Sequence, residues 1–531
     1  MRARLAHTAG AIAILVCGAG RPGVLLAQER IDLTVEASRS GAKIDRNIFG
    51  QFAEHLGSGV YGGIWVGPDS PIPNTRGIRN DVVAALKALK VPNVRWPGGC
   101  YADDYHWRKG VGGTRQVTLN PSWGGVTESN AFGTHEFMDF LDQIGAEAYL
   151  SINLGSGSVE EASEWLEYMT TAQPTTLGKE RAANGHAAPY RVALLGIGNE
   201  SWDCGGNMSP EAYLSQLKMY SRFVRDFNPM QQDTATRMLK IAVGPGGGNE
   251  PRWTEWTDTI MRAWRGHQWS WDIDGLSLHN YTVPSWPPSY ASVGFGEPEY
   301  ARILKKTLEM EDVIATHSAI MDRYDPQKKI ALVVDEWGGW YAPLPGSNPA
   351  FLVQQNSLRD AILASLNLNI FARHAERVRA ANIAQMINVL QAMIVTDREK
   401  LVLTPTYHVF KMYIPFQDAT FVPVTFSAGS YSAGGVTLPR VDAIAAKDAS
   451  GKLWLEVTNI DPNQPAEVVV AVPGVAAKSA TGTTLTAASV DAVNTFDAPA
   501  TVQPKPFTAM VQGGRITLRV APKSVTVVAI Q

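Results

Sequence analysis

The chain contains no C-x-x-C pair, no H-E-x-x-H helix, no glycine-rich loop closed by a P-loop lysine and no G-x-S-x-G elbow. Those absences remove a structural zinc site, a zinc protease, a phosphate cradle and an α/β-hydrolase nucleophile from consideration. His135-Glu136 opens a helical stretch, but the fifth position is Asp139 instead of a second histidine. The run Gly244-Pro245-Gly246-Gly247-Gly248 has neither dinucleotide spacing nor a lysine, and reads as a tight loop. Cysteine is scarce, with only Cys17, Cys100 and Cys204. Cys17 falls in a segment expected to be removed. For the other two, a disulfide in an oxidising compartment and a pair of free buried thiols both stand open.

Charge of one sign is also missing. The 47 basic and 50 acidic residues leave a net charge of -3, so nothing electrostatic points to nucleic acid or an anionic membrane as partner. A neutral substrate such as a sugar would leave no trace in that balance. Long apolar runs are confined to residues 9–20, preceded by Arg2 and Arg4 and followed by small residues. The pattern predicts a signal peptide over residues 1–27 and an exported protein, periplasmic or extracellular. Arg21 ends the run before it is long enough to span a bilayer.

What is present is a folded enzyme's composition, with 45% apolar and 18% charged residues, which excludes a mostly disordered chain. Between residues 46 and 415, short apolar runs (92–96, 148–153, 194–197, 241–243, 275–278 and 331–334) alternate with amphipathic stretches (81–90, 134–143, 210–227 and 298–323). Strands alternating with helices imply a parallel sheet, and about eight such units favour a closed (β/α)8 barrel. After residue 416, alternating or β-branched segments at 453–458, 466–472, 515–520 and 524–530 predict an antiparallel β-sandwich. A strand within residues 28–45 is expected to join it.

In such a barrel the chemistry gathers at the C-terminal strand ends. Two apolar strands end in acids there, Leu194-Leu195-Gly196-Ile197-Gly198-Asn199-Glu200 and Leu332-Val333-Val334-Asp335-Glu336-Trp337. A single glutamate after a strand is most simply a helix cap or a surface ion pair. Two facing one cleft, with Asn and Trp neighbours, are what glycoside hydrolysis requires. One carboxylic acid protonates the leaving oxygen and the other attacks the anomeric carbon, from roughly 5–5.5 Å apart in retaining enzymes. Asn199-Glu200-Ser201 also matches a glycosylation sequon, but modification of Asn199 would block this site. His279 is read as an active-site or core histidine more readily than as a metal ligand.

Five motifs in order resemble glycoside hydrolase family 51, the α-L-arabinofuranosidases. They are Asn47-Ile48-Phe49-Gly50-Gln51-Phe52-Ala53-Glu54-His55-Leu56-Gly57, Arg95-Trp96-Pro97-Gly98-Gly99-Cys100-Tyr101, Gly198-Asn199-Glu200, Ser277-Leu278-His279-Asn280-Tyr281 and Asp335-Glu336-Trp337. The resemblance implies an exo-acting, retaining enzyme that acts on arabinan- or arabinoxylan-type substrates without metal or organic cofactor. It implies Glu200 as acid/base and Glu336 as nucleophile. Glu54, Arg95, Asn199 and Gln385 would bind furanose hydroxyls, Tyr281 would orient the nucleophile, and Trp123 and Trp340 would line the entrance. Arg95 would also fix the charge of Glu54. Cys100 stands where many members have Asn, so its sugar contact is weaker, and the loop after Trp340 is shorter than in many relatives. Relatives are often homo-oligomers. Two other classes remain to be distinguished. An endo-acting glycanase on the same barrel is disfavoured by the furanose set around Glu54 and Arg95. A non-catalytic sugar-binding protein is disfavoured by retention of both glutamates.

Overall fold

A computed structural model describes residues 30–531. The predicted signal segment, residues 1–27, lies outside them. Eight parallel strands close into a barrel: β1 (Gly50–Phe52), β2 (Asn93–Trp96), β3 (Glu147–Ile152), β4 (Leu194–Ile197), β5 (Leu239–Ala242), β6 (Gly275–Thr282), β7 (Ala331–Gly339) and β8 (Val378–Ile383). Each is followed by a helix: α1 (Asn80–Leu89), α2 (Thr134–Ile144), α3 (Val159–Thr170), α4 (Pro210–Phe223), α5 (Pro251–Arg265), α6 (Glu297–Tyr324), α7 (Leu358–Arg373) and α8 (Pro405–Met412). The predicted barrel is therefore observed.

Local chemistry sets where these helices begin and end. The Ser209 side chain accepts the Ala212 N–H and Pro210 follows in the first turn, so two of the four unpaired donors of α4 are accounted for. The helix stops at Phe223, short of the predicted residue 227, and Val224 already takes extended backbone. The barrel lumen is filled by Tyr149, Leu194, Ile241, Ala331, Val333 and Ala380, which pack on one another. This layer makes the barrel a solid floor beneath the site.

The second layer is a sandwich of two sheets, whose pairings are antiparallel except at the N-terminal strand. One sheet runs Val424–Phe426, Arg30–Val35, Ala466–Ala471, Arg515–Val520 and Met510–Gln512, with the N-terminal strand pairing parallel to Ala466–Ala471. The other runs Thr420–Val422, Val441–Lys447, Leu453–Asn459, Ser524–Ile530, Ala480–Leu485 and Lys505–Thr508. Helix α7 joins it to the barrel and is buried over nearly all its length. Along the join, the Asn369 amide donates to Glu456 at 2.7 Å and to Asp442 at 3.0 Å, and Arg373 pairs with Asp442 at 2.9 Å. A polar seam of this kind fixes the orientation of the two layers, since each buried group has one partner geometry.

Candidate active site

The C-terminal ends of the barrel strands converge on a pocket of about 330 Å³, partly open to solvent, lined by Glu54, Cys100, Trp123, Glu200, Tyr281, Glu336, Trp340, Gln385 and three leucines. A larger space of about 880 Å³ opens at the opposite end of the barrel among Arg46, Glu147, Arg191 and Arg237. None of the sequence-selected residues lines it.

Glu336 lies within β7, which is buried along its whole length. Its Oε1 accepts Arg95 Nη1–H at 2.7 Å and its Oε2 accepts the Tyr281 hydroxyl at 2.8 Å. Both oxygens are thus held by donors, a charge-assisted arrangement that fixes the direction of the carboxylate. Glu200 follows β4 with a φ of +37°, in the left-handed region where a side chain costs about 1–3 kcal/mol. Its carboxyl is pushed above the ordinary range by burial and then by the Glu336 charge. Carboxylate oxygens of the two residues lie within 4.8 Å of each other. One carboxyl raised and its neighbour held by cationic and hydroxyl donors is the division that acid and nucleophile need.

The remaining sequence-selected residues are gathered at the same place. Glu54, just past β1, accepts the Gly99 and Tyr101 backbone N–H groups, the Trp123 indole N–H and the Gln385 amide, at 2.8–3.1 Å. Burial, then the charge of Glu336, raises its proton affinity. Trp123 reaches it from the turn between two short strands, Thr118–Asn120 and Val126–Glu128. Trp340 packs edge-on against Tyr281, with ring centroids 5.0 Å apart.

Two expectations are corrected by the contacts. Arg95 does not set the charge of Glu54: its Nη2 donates to Asn199 at 2.5 Å, its Nη1 to Glu336, and no bond joins it to Glu54 among the described residues. The reason is direction, since a strand side chain aimed into the barrel meets the ends of β4 and β7. Cys100 offers no thiol, because it is bonded to Cys204 with a Cα–Cα distance of 5.5 Å. The bond ties the loop after β2 to the loop after β4, and leaves Cys204 Sγ 3.5 Å from Glu200 Oε2.

Glycines permit the close approach. A Cβ on Gly98 would lie 2.8 Å from Glu54 Oε1, and one on Gly99 2.9 Å from Glu336 Oε1. Two further residues take part: His279, which the sequence left between an active-site and a core role, and Trp286, which it did not single out. His279 Nδ1 lies 2.8 Å from Glu200 Oε1, and the exposed Trp286 ring packs 5.3 Å from Trp340. His279 is two positions from Tyr281 on one strand, a spacing that puts both on the same face. Trp286 carries no such signal. Asp335 approaches the pair through His279, and Tyr149 through Asp335.

Comparison with known proteins follows the same lines. The α-L-arabinofuranosidase C-terminal domain profile matches residues 335–524, and the α-L-arabinofuranosidase 1 domain profile matches residues 85–243. An intracellular exo-α-L-arabinofuranosidase of Bacteroides ovatus is 43% identical over 512 residues, 96% of this chain and 97% of that protein. The crystal structure of the GH51 arabinofuranosidase from Xanthomonas axonopodis pv. citri superposes with a TM-score of 0.90 at 49% identity, covering 94% of this chain and all of that one. The structure of the thermostable GH51 α-L-arabinofuranosidase from Thermotoga petrophila RKU-1 does so at 0.80 and 29% identity, covering 94% of this chain and 100% of that one. The Bacteroides protein is named as intracellular, which overturns the expectation of export for this chain. A basic start and a short apolar run satisfy the export pattern by composition alone, and a composition match is all that residues 1–27 supply.

Proposed function

The chain belongs to glycoside hydrolase family 51, the α-L-arabinofuranosidases, and from that premise we propose an exo-acting, retaining α-L-arabinofuranosidase with Glu200 as acid/base and Glu336 as nucleophile. It releases terminal arabinofuranosyl residues from arabinan- or arabinoxylan-type chains. The observation that carries this reading is the approach of the two carboxyl groups to within 4.8 Å. That separation suits direct attack, and leaves no room for the intervening water of an inverting enzyme.

In the first step the Glu336 carboxylate attacks the anomeric carbon as the glycosidic C–O bond breaks, and Glu200 gives its proton to the leaving oxygen. In the second, the Glu200 carboxylate takes a proton from water. The resulting oxygen attacks the anomeric carbon, and the ester to Glu336 breaks. Arg95 and Tyr281 stabilise the Glu336 carboxylate before attack and after release. Arg95 acts on Glu336 and Asn199, and the sugar hydroxyls fall to Glu54, Asn199 and Gln385. Several convergent polar groups reject a ring that lacks matching hydroxyls. The pocket's small volume, closed in part by Leu56, Leu352 and Leu390, suits one terminal ring better than the interior of a polymer.

The test is hydrolysis of p-nitrophenyl α-L-arabinofuranoside, with the xylopyranoside and glucopyranoside alongside and Glu336→Ala as blank. Preference for the arabinoside, lost in the variant, with the α-anomer as first product by NMR, is the expected result. For Glu200→Ala, the activated aryl glycoside should keep its first step better than a natural disaccharide, and azide should restore turnover. Equal losses on both substrates would refute the acid role.

A further inference from the structure

Asp335 precedes the nucleophile in sequence but has no part in the scheme above. It is buried, its Oδ2 accepts the Tyr149 hydroxyl at 2.5 Å, and the same oxygen lies 3.7 Å from Arg95 Nε. Its Oδ1 lies 3.3 Å from His279 Nε2. The other ring nitrogen of His279, Nδ1, lies 2.8 Å from Glu200 Oε1 and 3.5 Å from Glu336 Oε1. A line of contacts therefore runs from Tyr149 through Asp335 and His279 to Glu200. An imidazole with carboxylates at both nitrogens has a hydrogen for each only as the cation.

The charges around His279 are not equivalent over a catalytic cycle. Burial would lower its proton affinity, but the Glu336 charge, followed by the contacts with Asp335 and Glu200, lifts it to about 10. Glu336 loses its charge when it becomes the glycosyl ester. Asp335 keeps its charge throughout. Burial alone would raise Asp335, but the contact with His279, the charges of His279 and Arg95 and the Tyr149 hydroxyl hold it below the ordinary carboxylate range. The charged groups facing His279 are Glu200 at the end of β4 and Asp335 and Glu336 on β7. Arg95 of β2 stands behind both acids of β7, and Tyr281 lies on the histidine's own strand.

We infer that Asp335 is a positioning residue that acts through His279, holding a cation against Glu200 while the nucleophile is esterified, so that Glu200 releases its proton and serves as base in the second step. The inference rests on the retaining reading above. It divides the labour of two adjacent acids: Glu336 makes and breaks the bond, and Asp335 supplies the negative charge that outlasts it.

The experiment is the pH dependence of Asp335→Asn in the full chain with p-nitrophenyl α-L-arabinofuranoside. That leaving group needs little protonation, so the second step limits kcat, which a burst of nitrophenolate verifies. The acid limb of kcat, which reports Glu200 in the intermediate, should move up by about one unit, the effect of removing a neighbouring charge. At a pH below both limbs that is about a tenfold loss. The alkaline limb of kcat/KM reports Glu200 in the free enzyme, where Glu336 still charges His279, and should move by less than about half as much. His279→Gln should shift the kcat limb likewise, and adding Asp335→Asn to it should move the limb no further. Unmoved limbs, equal movement of both, or an additive double variant would each overturn the inference. Should Asp335→Asn fail to fold, 15N spectra of wild-type enzyme trapped as a 2-deoxy-2-fluoro-arabinosyl ester decide the matter. The His279 ring should carry two protons at pH 7, and a singly protonated ring overturns the assignment. Failure of the underlying reading looks different: the wild type would not release arabinose, or Glu336→Ala would keep its activity.

Discussion

Gly99→Ala tests whether the nucleophile is held as tightly as its contacts imply. The new Cβ would stand 2.9 Å from Glu336 Oε1 and 3.3 Å from the Phe52 ring. A comfortable carbon–oxygen contact is about 3.4 Å, so one partner must give by a few tenths of an ångström. A carboxylate at the end of a free side chain would swing aside at no cost. This one is pinned, because Oε1 accepts Arg95 at 2.7 Å and Oε2 accepts Tyr281 at 2.8 Å. Retreat therefore stretches the Arg95 bond or turns the attacking oxygen away from the sugar. Misplacement by 1 Å costs about 100-fold in rate, so a shift of about half that predicts a loss in kcat/KM of roughly tenfold. Stability should fall by about 1–3 kcal/mol, since the added carbon overpacks a buried site. The assay is kcat/KM on p-nitrophenyl α-L-arabinofuranoside, with Tm by calorimetry as the control. Gly98→Ala is the companion variant, with its Cβ 2.8 Å from Glu54 Oε1. It should raise KM more than it lowers kcat, because Glu54 is assigned to the sugar hydroxyls. A Gly99→Ala protein with wild-type kcat/KM and Tm would refute the pinned carboxylate.

Two further outcomes follow from named contacts. Tyr281→Phe removes a hydrogen bond to an ionised carboxylate, worth about 1.5–3 kcal/mol, so kcat/KM should fall roughly ten- to a hundredfold with the fold intact; an unchanged value would remove Tyr281 from the site. Glu456, buried at the join between barrel and sandwich, is pushed by burial from 4.5 up to about 8. Between those values the folded protein keeps a proton that the unfolded chain releases, so stability falls as pH rises through the window. Glu456→Gln should therefore raise stability at pH 7.5 by on the order of 1–3 kcal/mol and leave it unchanged at pH 4. Calorimetry at both values checks this, and a destabilised variant at pH 7.5 would contradict it.

Much of the architecture was legible in one dimension because it depends on local periodicity. Short apolar runs bounded by polar residues specify buried parallel strands, and the barrel topology then dictates which strand ends face the cleft. Glu200 and Glu336 stood out for that reason, whereas Glu54 and Tyr281 came only from the family resemblance. Periodicity misleads where the strand is irregular. Adjacent residues on a regular strand point to opposite faces, so regular pleating would not bring both Asp335 and Glu336 to one site. The register shifts between Val334 and Trp337 on one side of β7, and between Ser277 and His279 on β6. These irregularities let consecutive acids both reach His279. No pattern in the sequence announces them.

The order and kind of the elements, and the two carboxylates at strand ends, are legible along the chain because they depend on spacing within single segments. Only the tertiary structure decided what each charged group faces. Arg95 and Glu54 share a pocket, yet Arg95 serves Glu336 and Asn199. Cys100 and Cys204 are 104 residues apart and bonded. His279 faces three acids, Asp335 and Glu336 on β7 and Glu200 just past β4. Pairing of this kind is set by where the closed barrel brings strand ends together, a property of the whole ring of strands that no single segment encodes.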